Sequence, residues 1–181
     1  MIKAIEERKK ELNEAGRDWK APYYALMREL YRQDVLFFAL SKSAFDPITG
    51  MSTPLISTKD FDGAPALYVF SDTDTATVWM QHYQHVSEDL KFGLIGAIEK
   101  EDHDFLSVFQ IAKSMGTQMI MLDEGGDYVG LQLDAFFEAN GMDPTKIELP
   151  LSEEEIERML ENKESPAIRF SPVAAIPLGR P

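Results

Sequence analysis

Histidine is the residue type of this chain best suited to acid–base chemistry or metal binding, and the sequence has three histidines. His82 and His85 are three residues apart, a spacing that can present two imidazoles to one metal ion, and Glu88 follows three residues later. No His-Glu-x-x-His motif or comparable ligand set accompanies the pair. The pattern is therefore more typical of the polar side of a helix than of a metal site.

The densest acidic run surrounds the third histidine and could bind a hard cation through carboxylate oxygens. Its members are Glu99, Glu101, Asp102, His103 and Asp104. The spacing of a calcium loop is absent, and acidic residues at the start of a helix are favoured by the helix dipole alone. A metal-assisted or small-molecule enzyme that uses His82, His85 and this run is the alternative interpretation, and it requires these segments to converge in a concave site.

The remaining chemical candidates are short pairs of residues. The aspartates with a spacing of two are Asp60 with Asp62, and Asp72 with Asp74. Each pair falls in a predicted turn or helix start, where aspartate is favoured for structural reasons. The pair Gly125-Gly126 belongs to no phosphate-binding glycine motif. The sequence therefore assigns no catalytic, cofactor-binding or metal-binding residue, and we expect no cofactor.

Composition restricts the classes of partner. The 181 residues are 44% hydrophobic and 27% charged, which is enough apolar material for one sizeable core. The net charge of −13 repels phosphate backbones and anionic lipid headgroups, so nucleic acid and membrane are poor partners. Without cysteine, the chain has no disulfides, thiolate nucleophiles or iron–sulfur clusters.

The sequence shows neither an export signal nor a membrane span. The first ten residues are charged where a secretory signal needs an apolar core. The longest strongly apolar stretch is Val35 to Leu40, six residues against the roughly 20 that span a bilayer. We therefore expect a cytoplasmic protein.

Helical periodicity predicts two N-terminal helices. Residues 2–15 lack a wide apolar stripe, so this helix is expected to pack weakly or against a partner. The second helix begins near Pro22 and has Tyr23, Leu26, Met27 and Leu30 on one face. We predict an N-terminal helical segment over 1–33, an α+β domain over 34–150, and a C-terminal helix with a proline-containing tail over 151–181 that belongs to the same unit.

Apolar runs and turn residues predict the rest of the fold. The strands are expected at 35–40, 54–57, 66–70, 119–122 and 128–131. Helices are expected after a capping box of Ser71 and Asp74, from Asp102 to Met115, after Asp134 as a cap, and after a capping box of Ser152 and Glu155. The fold class is α+β, with a mixed or mainly antiparallel sheet of about five strands packed with helices and preceded by two N-terminal helices.

Large aromatic residues are predicted to form one core. The side chains expected inside are Phe37, Phe70, Trp79, Tyr83 and Phe109. Trp79 could line a ligand pocket, but its place beside Met80 on an apolar helical face favours a core position.

The C-terminal tail combines prolines with apolar residues. Prolines at 166, 172, 177 and 181 alternate with Ile168, Phe170, Val173 and Ile176. We expect the segment from Ser165 to Pro181 to dock in an extended form, either on its own sheet or on that of a second copy.

Part of the chain resembles a known family. The segment Pro54-Leu55-Ile56-Ser57, the strand and turn Ala66-Leu67-Tyr68-Val69-Phe70-Ser71-Asp72, and Ala76 with Trp79 on the following helix resemble the amino-terminal domain of the SseB family, the enhanced serine sensitivity proteins of bacteria. The hairpin around Gly125-Gly126 is similar to a family segment, with Asp123-Glu124 in place of Asn-Pro. The resemblance covers roughly residues 34 to 140 and implies a bacterial α+β protein with no assigned reaction and no catalytic residues.

A non-enzymatic protein-interaction or regulatory module is the function that the sequence favours. For each candidate group of catalytic or metal-binding residues, a structural role explains the pattern better than a functional one. Both ends of the chain also carry apolar side chains that the core does not obviously need. We therefore expect a protein partner or self-association, with a homodimer as one form.

Overall fold

A computed structural model describes residues 2–40, 46, 48–57, 63–83, 94–101, 105–149, 151–162 and 167–175. The α-helices in these ranges are α1 Ile2–Glu14, α2 Lys20–Arg32, α3 Thr73–Tyr83, α4 Ser107–Ser114, α5 Leu133–Ala139 and α6 Glu153–Asn162. The strands are β1 Val35–Leu40, β2 Met51–Ser52, β3 Ile56–Ser57, β4 Ala66–Phe70, β5 Leu94–Glu99, β6 Met119–Leu122, β7 Val129–Gln132, β8 Ile168–Arg169 and β9 Ser171–Ala175.

Seven of these strands form one mixed sheet. Its order is β7-β6-β4-β1-β5-β9, and β3 pairs with β4 off this path. The pair β4–β6 is parallel and the other pairs are antiparallel. A small second sheet joins β2 to β8. The predicted α+β class, the mixed sheet and the two preceding helices are confirmed.

The two faces of the sheet bury separate groups of side chains, because alternate residues of a strand point to opposite sides. One face carries Leu36 and Phe38 of β1 and packs against α2, α4 and α5. The other face carries Ala39, Tyr68 and Phe70 and packs against Ala76, Trp79 and Met80 of α3. One helix therefore accounts for most of the described packing on the second face.

The first helix is part of the core, contrary to the expectation that it packs weakly or on a partner. Ile5 is inaccessible to solvent and belongs to the same cluster as Leu26, Met27 and Leu30 of α2. Lys9 is also buried. The sequence pattern missed this face because one of its buried residues is charged.

Two predicted helix caps are wrong. Ser71 does not cap α3; the Asp72 carboxylate accepts hydrogen bonds from the backbone N–H and the hydroxyl of Thr75 instead. Asp134 lies inside the first turn of α5 and its side chain caps nothing, since Gln132 holds the N-cap position. The capping box of Ser152 and Glu155 is confirmed by reciprocal hydrogen bonds ahead of α6.

The fourth helix is shorter than predicted. It begins at Ser107 rather than at Asp102, and residues 102–104 lie outside the described part of the chain. Its end is as expected, since Gly116 follows the helix with a φ of +82°. Residues that have a Cβ rarely adopt this backbone conformation.

The described part of the predicted C-terminal segment, residues 167–175, docks on the chain's own sheet, and residues 165–166 and 176–181 lie outside the described part. The strand β9 pairs antiparallel with β5, a strand that the sequence analysis did not predict. Phe170, just before β9, is buried against Phe38 with ring centroids 6.0 Å apart. Gly96 on β5 leaves the space for this ring, because a Cβ at that position would lie 2.6 Å from Phe170 Cβ.

The prediction of one aromatic core is wrong, because the sheet separates its members: Phe70 and Trp79 pack on the α3 side, and Phe109 packs on the other side. Phe70, Trp79 and Phe109 are buried. The prediction that Phe37 is a core residue is wrong, because its side chain is only half-buried. The side chain of Tyr83 lies outside the described residues. Among the described helices, none is both long and apolar enough to cross a membrane.

Candidate functional site

The histidine and acidic candidates do not form a described metal site. His82 lies exposed in the last turn of α3, and Glu99 ends β5. Glu101 is exposed in the turn after β5. The remaining members of the proposed set are outside the described residues: His85, Glu88, Asp102, His103 and Asp104. Within the part of the chain that the structure describes, no group of three or more histidine, aspartate or glutamate residues could hold a metal ion.

The short pairs have structural roles where they are described. Asp72 is the cap of α3, and Asp74 lies exposed in its first turn. Gly125 has a φ of +140°, and a Cβ there would lie 2.6 Å from the Thr75 backbone oxygen. This glycine is therefore required by close packing against α3. Asp60 and Asp62 lie outside the described residues.

A buried polar cluster occupies the edge where the parallel strands β4 and β6 end. Ser71 follows β4 and Asp123 follows β6. The Asp123 carboxylate accepts hydrogen bonds from the Ser71 backbone N–H at 2.6 Å and from the Ser71 hydroxyl at 2.9 Å. The two strand ends are thus joined by one carboxylate.

Lys9 of α1 completes this cluster. Its ammonium Nζ lies 2.6 Å from Asp123 Oδ2 and 2.8 Å from Glu6 Oε1. Burial by itself lowers the pKa of Lys9, but the carboxylates of Asp123 and Glu6 outweigh it and raise the pKa above its ordinary value. The positive charge is therefore retained, and it neutralises the carboxylate that faces the Ser71 hydroxyl.

The charged and hydroxyl groups of this cluster all have partners within the fold. A serine nucleophile needs a nearby base that takes its proton, and the carboxylate beside the Ser71 hydroxyl is already bound to an ammonium and to a backbone N–H. Asp123 also has a φ of +57°, which aspartate tolerates better than most residues. The sequence analysis did not predict the pairing of Lys9 with Asp123, because the two residues are far apart in the chain and no motif links them.

Trp79 is a core residue rather than part of a ligand pocket. Its side chain is 2% exposed, and its ring centroid lies 4.8 Å from that of Tyr68 and 5.5 Å from that of Phe70. The indole N–H donates to Glu124 Oε2 at 2.6 Å. The structural interpretation of Trp79 is confirmed.

A cleft of about 570 Å³ opens next to the polar cluster. It lies between the start of α1, the start of β1 and the turn from β4 into α3. Its charged lining residues are Lys3, Asp34 and Asp72, and Ser71 and Thr73 line the same wall. This volume falls within the range of about 300–1,000 Å³ that is typical of binding pockets.

The apolar part of the cleft is an incompletely covered end of the sheet. Val35 and Phe37 of β1 line it and are half-buried, whereas Ala39 two residues further along the same face is 2% exposed. Helix α3 packs over the Ala39 end of this face. The sequence predicted Phe37 as a core residue because strand periodicity does not show how far a covering helix extends.

No model of a known protein family matches the chain, and neither does any curated protein or solved structure. The resemblance to the SseB family stays a prediction that rests on the residues quoted for it.

Proposed function

We propose that this protein is a non-enzymatic interaction module, and that it binds a segment of a partner protein in the cleft beside β1. The observation that carries this proposal is the half-buried apolar surface of Val35 and Phe37 inside a cleft with a charged rim. Apolar surface surrounded by polar groups is the usual form of a site for another protein.

The chemistry of the neighbouring polar cluster supports binding over catalysis. Asp123 already accepts hydrogen bonds from Ser71 and pairs with Lys9, so these groups are engaged within the fold. A binding module needs such rigid support beneath its site, whereas an enzyme needs a group that can exchange protons with its substrate.

The rim indicates the chemistry of the partner. The cleft is lined by two carboxylate residues, Asp34 and Asp72, and one ammonium residue, Lys3, and the whole chain has a net charge of −13. A segment with an apolar side chain between basic residues therefore complements the cleft, because the apolar side chain contacts Val35 and Phe37 and the cations lie near the carboxylates.

A different protein is favoured over a second copy of this chain. The tail that could have joined two copies supplies β9 to its own sheet. Two acidic chains also repel each other. A cytoplasmic location and the lack of nucleic-acid and membrane partners belong to the same proposal. The net charge of −13 supports the second of these, because it repels phosphate groups.

The test uses two sets of short acetylated peptides with a central leucine, phenylalanine or tryptophan. One set has lysine on both sides of that residue and the other has glutamate. We expect the lysine set to shift the backbone amide NMR signals of residues 35–37 and 71–73, with affinity that falls as salt is added. The glutamate set is expected to give no such shifts.

Charge reversals on the rim provide the controls. Asp34→Lys should weaken binding of the lysine peptides, and Lys3→Glu should strengthen it. Asp18→Lys makes the same charge change at an exposed position outside the cleft and should have a much smaller effect. Equal binding of both peptide sets, or shifts confined to residues outside the cleft, would contradict the proposal.

A further inference from the structure

Helix α6 presents an apolar side chain to solvent and buries none of its own residues. Leu160 is 74% exposed. Ile156, one turn before Leu160, and Met159 are half-buried. Leu160 therefore extends the apolar stripe of the helix beyond its half-buried part.

A row of carboxylates borders Leu160. Glu153, Glu157 and Glu161 follow each other at a spacing of four residues, so they lie along one side of the helix, and all three are exposed. Glu157 precedes Leu160 by three residues and is its neighbour on the helix surface. Among the described residues, no basic side chain forms an ion pair with any of these three carboxylates.

The stability of the helix does not explain this row. Carboxylates four residues apart repel each other and destabilise a helix. The helix dipole favours Glu153 in the first turn, but it disfavours the negative charge of Glu161 in the last turn. Reciprocal hydrogen bonds between Ser152 and Glu155 nevertheless fix the start of the helix. The row and Leu160 thus form an ordered surface whose charge the described fold does not neutralise.

We propose that this face of α6, made of Leu160 with Glu153, Glu157 and Glu161, binds a basic amphipathic helix of another protein. Lysine or arginine residues spaced four apart on that helix pair with the carboxylates, and an apolar residue beside them covers Leu160. A second copy of this chain does not fit, because two α6 helices would bring the same carboxylates together.

The face shares no residue with the cleft beside β1, so this proposal is independent of the proposed function. A helix of ten residues offers a small contact area. We therefore expect a weak complex whose affinity falls as salt is added.

The test uses three helical peptides of equal length, each with leucines in one stripe. In the first peptide, lysines at a spacing of four residues border the stripe. In the second, glutamates replace these lysines, and in the third the same lysines lie on the opposite side of the helix. We expect the first peptide to shift the backbone amide NMR signals of residues 153–162 of the full chain.

The other two peptides identify the source of binding. The second should give no shifts, and the third should bind about tenfold more weakly than the first. Equal binding of the first and third peptides would overturn the proposal, because charge alone would then explain the attraction. Absence of shifts in residues 153–162 with the first peptide up to about 1 mM would overturn it as well.

Leu160→Ala and Glu157→Lys test the apolar and the charged part of the face. Both side chains are exposed, so each variant should keep nearly the melting temperature of the parent protein and lose about tenfold in affinity for the first peptide. Glu7→Lys makes the same charge change at an exposed position of α1 and should have a much smaller effect. Unchanged affinity in either α6 variant would contradict the proposal.

Light scattering checks whether a second copy covers the same face. We expect the mass of the parent protein and of Leu160→Ala to be equal at every concentration. A mass that rises with concentration in the parent but not in Leu160→Ala would overturn the proposal, because the occupant of the face would then be this chain itself.

Discussion

Lys9 Nζ of the first helix lies 2.6 Å from Asp123 Oδ2 at the end of β6, and the two side chains are 4% and 1% exposed. The contact connects the N-terminal helix to the edge where two parallel strands end. Because Asp123 also binds Ser71, one carboxylate holds three elements of the fold together. The stability of this region should therefore depend strongly on each partner.

Lys9→Met is expected to lower the free energy of unfolding by about 3–5 kcal/mol, because it leaves the Asp123 carboxylate buried without a counter-charge. Urea denaturation measures this loss. In the double variant Lys9→Met/Asp123→Asn, no buried charge remains, and part of the stability should return. A loss of less than about 1 kcal/mol in Lys9→Met would show that the pair contributes little.

Alkaline pH should destabilise the protein through Lys9 and Tyr23. The carboxylates near Lys9 raise its pKa, and burial raises the pKa of Tyr23 despite the hydrogen bond that its oxygen accepts from Gln132 N–H. When the pKa of a group is higher in the folded protein than in the unfolded chain, the group stabilises the fold at pH values below its pKa in the unfolded chain. That pKa is 10.5 for lysine and 10.0 for tyrosine. That stability is lost as the pH rises through the raised pKa in the folded protein.

Denaturant unfolding at a series of pH values from about 8 to about 11 tests this dependence. The free energy of unfolding should fall at the alkaline end, and Lys9→Met and Tyr23→Phe should each make that fall less steep. Parallel pH profiles for the parent protein and both variants would show that neither group is responsible.

Trp79→Ala should cost about 3–5 kcal/mol, because it removes a large buried ring that packs against Tyr68 and Phe70. Trp79→Phe keeps an aromatic ring but loses the hydrogen bond to Glu124, and its cost should be smaller. The matched control is Trp19→Ala, since Trp19 is 45% exposed and its removal should cost about 1 kcal/mol or less. Equal effects at the two tryptophans would contradict the core assignment of Trp79.

Gly96→Ala should destabilise the sheet by about 1–3 kcal/mol, because the added methyl group would overlap Leu40 and Phe170. Thermal unfolding and urea denaturation both measure the effect. In the background of Phe170→Gly, which removes both the Cβ and the ring, only the overlap with Leu40 remains, so the same substitution should cost less. Simple additivity of the two changes would mean that Gly96 and Phe170 do not share this space.

Sequence patterns predicted the helices and strands that are determined by residues close together in the chain. The run from Val35 to Leu40 forms a strand because its residues are apolar on both faces. Ser152 and Glu155 cap α6 because both partners lie within one helical turn. In contrast, the sequence analysis did not predict β5. Its sequence contains Gly96, a residue that weakens strand patterns, and the reason for this glycine is a ring more than seventy residues away.

The features that matter for the candidate sites depend on contacts between distant residues. Ser71 and Asp74 have the spacing of a capping box, but Ser71 binds Asp123 instead, so the competing partner could not be seen locally. The exposure of Phe37 depends on where α3 ends over the sheet.

The pairing of Lys9 with Asp123 also affects how the chain acquires its structure during synthesis. Residue 123 lies about two thirds of the way along the 181 residues, so a shorter nascent chain has the lysine without its main counter-charge. Until then α1 can form its contacts with α2 and the ion pair with Glu6, but it cannot bury Lys9 against a carboxylate. Helix α1 therefore reaches its final position only after β6, which precedes Asp123, has paired with β4.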